Sequence, residues 1–142
     1  MSQENVELVR SALEAWNRGD IDACCGHAAE DVVWLEVAGR PESQGRERVG
    51  REQMRQGLES LFEAWETYHL DVERLHDAGD RVLAIVREVA TGRASGVQID
   101  GRWGYLMTVE HGQIVRVEAY RHAAVALQAA GVGESAPKLR SP

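Results

Sequence analysis

Hydrophobic and polar positions recur with two different periods along this chain, and the change of period separates a largely helical first half from a stranded second half. Val6, Val9, Leu13 and Trp16 repeat at helical spacing over residues 4–18, with Glu7, Arg10, Glu14 and Asn17 on the other side. Gly19 suits the left-handed position that closes such a helix, and Asp20 can cap a short second helix over 21–29, with Ile21, Cys24 and Cys25 facing inward. Residues 31–37 turn β-branched and aromatic and predict a strand. A polar loop containing Pro41 follows over 38–49. Gly50 then opens a third helix reaching about Trp65, with Met54, Leu58, Leu61, Phe62 and Trp65 as its apolar stripe. Gly57 interrupts that helix at a cost of about 1 kcal/mol relative to Ala.

From residue 68 the period becomes two. Tyr68, Leu70 and Val72 alternate with His69, Asp71 and Glu73 over 68–76, and Asp77-Ala78-Gly79-Asp80 is a turn signal. The most apolar strand is predicted over 81–90, a Gly/Ser loop follows to Gly96, and two more strands over 97–110 and 113–121 meet at a hairpin around His111-Gly112. Asp100-Gly101 reads either as a two-residue turn or as a bend within one long strand. Ala-rich residues 123–130 predict a helical turn, and 131–142 a frayed, flexible tail, leaving one domain over 1–130. Helices before a mostly antiparallel sheet indicate an α+β fold. A strongly curved sheet with helices across its concave face would leave a cavity between the layers.

Composition narrows the class. At 142 residues with 44% hydrophobic residues, the chain is long enough for a core without staples. Its net charge of −7 is dispersed, which disfavours nucleic acid and anionic membrane as partners. The start of the chain lacks the basic and apolar regions of a signal peptide, and the only cysteines are adjacent, so a reduced, cytoplasmic location is expected.

Several short segments together resemble the SnoaL-like branch of the NTF2-like superfamily: Asn17-Arg18-Gly19-Asp20-Ile21-Asp22-Ala23, Glu30-Asp31-Val32-Val33-Trp34, Gly50-Arg51-Glu52, Asp77-Ala78-Gly79-Asp80-Arg81-Val82, the Gly92 to Gly96 loop, and Gly112-Gln113-Ile114-Val115-Arg116. The resemblance implies a cone-shaped α+β barrel, usually a homodimer through the outer sheet face, with a mostly apolar pocket. Its members include ketosteroid isomerases, polyketide cyclases, dehydratases, epoxide hydrolases and non-catalytic binding proteins, so fold alone does not name a reaction.

Three residues are candidates for chemistry. By the resemblance, Glu36 falls where ketosteroid isomerase carries its proton-shuttling aspartate; the alternative is a solvated or arginine-paired strand-end glutamate. Leu83, Ile85, Arg87 and Val89 share one face by alternation, so a cavity-facing Ile85 brings Arg87 with it, to pair with Glu36, to clamp an anion, or to snorkel at the mouth. Tyr105 lies, by the same resemblance, near the isomerase's second oxyanion-hole acid; it donates to a developing enolate or sits as a satisfied core tyrosine. Two departures count against the best-known activities: Ala12 stands at the isomerase's tyrosine position, and Ala119 near the cyclases' acid/base aspartate. Trp16, Trp34, Phe62, Trp65 and Trp103 are expected as pocket wall and core, joined by Ile85, Met107 and Ala119. The five histidines show no metal-ligand spacing, and no cofactor is implied. Arg40 to Arg55 interleaves five arginines with three glutamates and reads as a solvated loop and helix face, with an anion site as the alternative. The expected function is cofactor-independent acid/base chemistry of isomerase, cyclase or lyase type on a small, largely apolar molecule; the alternative is a non-catalytic ligand-binding or dimerisation module.

Overall fold

The apolar stripe of the first helix sets the inner layer. In α1 (Ser2–Asn17), Val9, Ala12, Leu13 and Trp16 are all buried. The chain leaves the helix through Gly19 at φ 76, and Asp20 accepts a hydrogen bond from Ala23 N to cap α2 (Ile21–Gly26). The Asn17 carboxamide accepts from Leu70 N at 2.9 Å, tying the end of α1 to the sheet beneath it. A computed structural model describes residues 2–36 and 46–131. Most of the loop expected over 38–49 and nearly all of the expected tail lie outside them.

The strands are β1 (Ala28–Glu36), β2 (Arg46–Val49), β3 (Trp65–Asp77), β4 (Arg81–Gly92), β5 (Gln98–Glu110) and β6 (Gln113–Tyr120), with α3 (Arg51–Ala64) between β2 and β3 and α4 (Ala123–Ala130) at the end. They form one curved, unclosed sheet in the order β2-β1-β6-β5-β4-β3, in which β1 and β6 run parallel and every other pair is antiparallel. The expected α+β architecture is what the structure shows.

Local differences have physical causes. The second helix stops at Gly26, and residues expected in it begin β1. Trp65 leaves α3 in extended conformation and starts β3, three residues before the alternation becomes regular at Tyr68. Arg46–Val49 pairs with β1 rather than looping freely. Asp100-Gly101 is no turn: β5 pairs with β4 in unbroken register from Gln98 to Thr108. A shift between Thr108 and Val109 places Val109 opposite Ile114 and Thr108 opposite Arg116, so Ile114 joins the core while Arg116, Glu118 and Tyr120 face outward.

Two apolar clusters lie on opposite faces of the sheet. The inner one joins α1, α2 and α3 to Val82, Ala84, Val86, Tyr105, Met107 and Val117, among others. The outer one is Leu83, Ile85, Leu106 and Tyr120 under Ala126 and Ala130 of α4. The Ala-rich segment is therefore a full helix, closed by Gly131 at φ 77. Cys24 and Cys25 are buried free thiols; burial pushes Cys24 up to about 12 and also raises Cys25, leaving both protonated and unreactive at neutral pH. No helix is long and apolar enough to cross a membrane among the described residues.

His76 makes stability depend on pH. Its Nε2 is buried without a hydrogen-bond partner, and burial, followed by the charge of Arg74, lowers its pKa below the ordinary 6.5. The unfolded chain binds this proton at higher pH than the folded chain does. The His76 contribution is therefore present above about pH 6.5 and lost as pH falls through that value toward the folded pKa. His76→Leu is expected to reduce the drop in denaturation midpoint between about pH 7.5 and 5.5. An identical drop in the variant would rule out His76 as its source.

Candidate functional site

The inner face of the sheet and α3 enclose a cavity of about 340 Å³, near the lower end of the range for small-molecule sites. The chain has four tryptophans, and all of them, Trp16, Trp34, Trp65 and Trp103, line it. Met54, Leu58 and Leu61 of α3 supply the apolar wall facing the sheet. Polar groups enter from Glu36, Arg48, Ser60, Glu88 and Tyr105.

Tyr105 stands at the centre of the aromatic wall. Its ring centroid is 5.4 Å from Trp16, 5.8 Å from Trp34 and 6.1 Å from Trp103, the last pair stacked at 3°. Burial, then the neighbouring carboxylates of Glu88 and Glu36, hold its phenol far above the ordinary value, so it remains a neutral donor. Its hydroxyl has no hydrogen-bond partner among the described residues.

Glu36 ends β1 on the same transverse row. Glu36 is paired in register with Ala119 of β6, and Ala119 with Tyr105 of β5, so the methyl of Ala119 separates the carboxylate from the phenol. Two strand spacings put the backbones of Glu36 and Tyr105 about 10 Å apart. The small residue between them leaves room for a ligand touching both.

The carboxylate facing inward from β4 is Glu88, only 7% exposed. Its Oε2 accepts from Tyr68 Oη at 2.7 Å and its Oε1 from Trp103 Nε1 at 3.1 Å, both from diagonal cross-strand neighbours. The Trp16 indole N–H lies beside the Tyr68 hydroxyl without reaching hydrogen-bond geometry. Burial, with Tyr105 and Glu88 close by, raises the Tyr68 pKa, so it too stays a donor.

Of the residues expected from sequence, the structure gathers Glu36, Tyr105, Trp16, Trp34, Trp65, Trp103 and Ala119 around this cavity. It separates the rest. Arg87 lies on the outer face in a two-pronged ion pair with Asp100 (2.8 and 2.6 Å), away from Glu36. Ile85 packs in the outer cluster, because Val82, Ala84, Val86 and Glu88 are the inward-facing set of β4. Met107 belongs to the inner core but does not line the cavity. Phe62 meets Tyr68 edge-on at 5.5 Å and borders a shallow surface depression with Arg93. Sequence reasoning missed Glu88 and Arg48. A lone carboxylate inside the apolar run 82–90 was the available signal for Glu88, whereas Arg48 enters only through the pairing of β2 with β1. No group of three metal-ligating side chains occurs among the described residues.

Solved structures share this fold. An NTF2-like protein from Burkholderia thailandensis is 28% identical with a TM-score of 0.72, over 87% of this chain and 95% of that one. A putative polyketide cyclase from Xanthomonas campestris is 26% identical with a TM-score of 0.65, over 90% and 97%. A protein of ketosteroid isomerase-like fold from Catenulispora acidiphila, solved with trimethylamine, is 18% identical with a TM-score of 0.71, over 96% and 98%. No curated protein matches the sequence. The SnoaL-like domain model matches residues 9–117, most of the chain, and the protein belongs to the SnoaL-like domain family.

Proposed function

We propose that this protein is a cofactor-independent enzyme carrying out acid/base chemistry, of isomerase, cyclase or lyase type, on a small, largely apolar molecule held in the tryptophan-walled cavity. The observation that carries the reading is the Glu36–Ala119–Tyr105 row: a carboxylate without a hydrogen-bond partner among the described residues faces an uncommitted phenol across a gap. Glu36 would take a proton from carbon and Tyr105 would donate to the oxygen on which charge develops. Glu88, engaged by two donors, would hold Trp103 and Tyr68 in place. Arg87 has no part in this scheme. The cyclase-like and isomerase-like relatives support the reaction class at the level of fold only.

A non-catalytic binding role is favoured by the alanines at positions 12 and 119, where the resemblance placed a donor and an acid. Deuterium uptake into the α-position of 1-indanone separates the two. The enzyme reading expects uptake faster than in buffer alone; a binding module would hold the ketone and leave uptake at the buffer rate.

We also propose a homodimer through the part of the outer sheet face that α4 leaves uncovered, where Arg116 and Glu118 pair beside Tyr120. Sedimentation at micromolar concentration is expected to give twice the chain mass, and a monomer there would refute it.

A further inference from the structure

One arginine lines the cavity and a second covers a tryptophan of its wall, neither with an acid. Elsewhere Arg55, Arg87, Arg102 and Arg116 each pair with a carboxylate, and Arg51 and Arg93 donate to backbone carbonyls. Arg48, in the cavity wall, has neither kind of partner among the described residues. Arg121 sits 5.2 Å above the ring of Trp103, likewise without a carboxylate.

Each of these guanidinium groups occupies space that a glycine leaves open. A Cβ on Gly57 would stand 3.0 Å from Arg48 Nε and 3.3 Å from its Cζ, and one on Gly101 would stand 3.2 Å from an Arg121 terminal nitrogen. Gly57 is unfavourable in the middle of α3, and Gly101 is unfavourable within β5. At both positions a methyl group would press on the guanidinium by a few tenths of an ångström, and glycine leaves it that room. Arg48 is opposite Trp34 in the β1–β2 register, which puts its planar fork beside an indole wall.

Neither carboxylate of the cavity pairs with Arg48. Glu88 is held by Tyr68 and Trp103, and Glu36 stands diagonally across the strand pair from Arg48 without forming an ion pair with it. Aromatic walls also attract ammonium groups, but the Trp103 face is already covered by Arg121, and Arg48 would repel a second cation. A single planar guanidinium in a small apolar cavity matches one carboxylate, which it can bind through two parallel N–H donors.

We propose that the ligand is a flat, largely apolar carboxylic acid, its carboxylate on Arg48 and its ring system against Trp34, with Arg121 adding positive field from its place over Trp103. This rests on reading the cavity as a small-molecule site. It makes Arg48 the residue that selects the charge of the ligand.

Calorimetric titration of the whole protein with 2-naphthoate, 2-naphthamide and 2-naphthylmethylammonium tests it, since the three share a ring frame and differ in charge. The naphthoate is expected to bind at least about tenfold tighter than the amide, with the ammonium weakest, and Arg48→Gln is expected to remove the advantage of the acid over the amide. Equal affinity for acid and amide, tightest binding of the ammonium, or an advantage that survives Arg48→Gln would each overturn the charge preference and leave the cavity reading standing. Failure of all three to bind would overturn the cavity reading and the proposal together.

Discussion

Glu36→Gln is expected to slow deuterium uptake into 1-indanone by about 10²- to 10⁴-fold, the usual contribution of a positioned general base. The substitution keeps the shape of the side chain and removes its ability to accept a proton at neutral pH. Because Glu36 carries no hydrogen bond or ion pair among the described residues, the change should leave folding and ketone affinity near the wild type. A fall in rate without a fall in affinity is what a proton-transfer role requires. Tyr105→Phe supplies the companion measurement: it should also lower the rate, by less, since Glu36 would still be present. A Glu36→Gln rate within a few-fold of wild type would remove Glu36 as the base and turn attention to Glu88, the other carboxylate of the cavity. Rates have to be compared at one pH and against buffer, because a ketone of this type exchanges slowly on its own.

Leu106→Ala is expected to destabilise the fold by about 2–5 kcal/mol, the range for truncating a fully buried leucine. Leu106 has no exposed surface; it opposes Leu83 across β4 and β5, and α4 covers both. The same seam depends on a missing side chain. A Cβ at Gly104 would overlap the Cβ of Ala126, so α4 can approach the sheet only over glycine. Gly104→Ala should therefore cost about 1–3 kcal/mol by overpacking, or lift α4 from the sheet. Urea midpoints of the two variants measure both effects. If Gly104→Ala were as stable as wild type, α4 would not be docked as the structure has it.

Much of this architecture was legible beforehand because the inner layer is one-sided. Val9, Leu13 and Trp16 lie on one stripe of α1, and Met54 and Leu58 on one stripe of α3, with polar residues opposite, so helical period and buried face are the same observation. Tyr68, Leu70 and Val72 show the same for β3, whose outer face carries His69, Asp71 and Glu73. The cavity followed from the family resemblance, and its aromatic wall from the tryptophans spaced along these faces.

The site was legible only in part, and β4 shows why. Val82, Leu83, Ala84, Ile85 and Val86 are all buried, since helices cover the sheet on both sides at that point. A run buried on both faces has no alternation to read, and a one-residue error in parity exchanges every side chain between faces. That error is the difference between Arg87 and Glu88. The sequence by itself determined the order of the elements apart from β2, the amphipathic helices and the α+β class, because those depend on local periodicity. Only the tertiary structure decided which carboxylate of β4 faces the cavity, that Arg48 reaches it through the β1–β2 pairing, and that Gly104 is needed where α4 crosses it, because each depends on a neighbour far away in the chain.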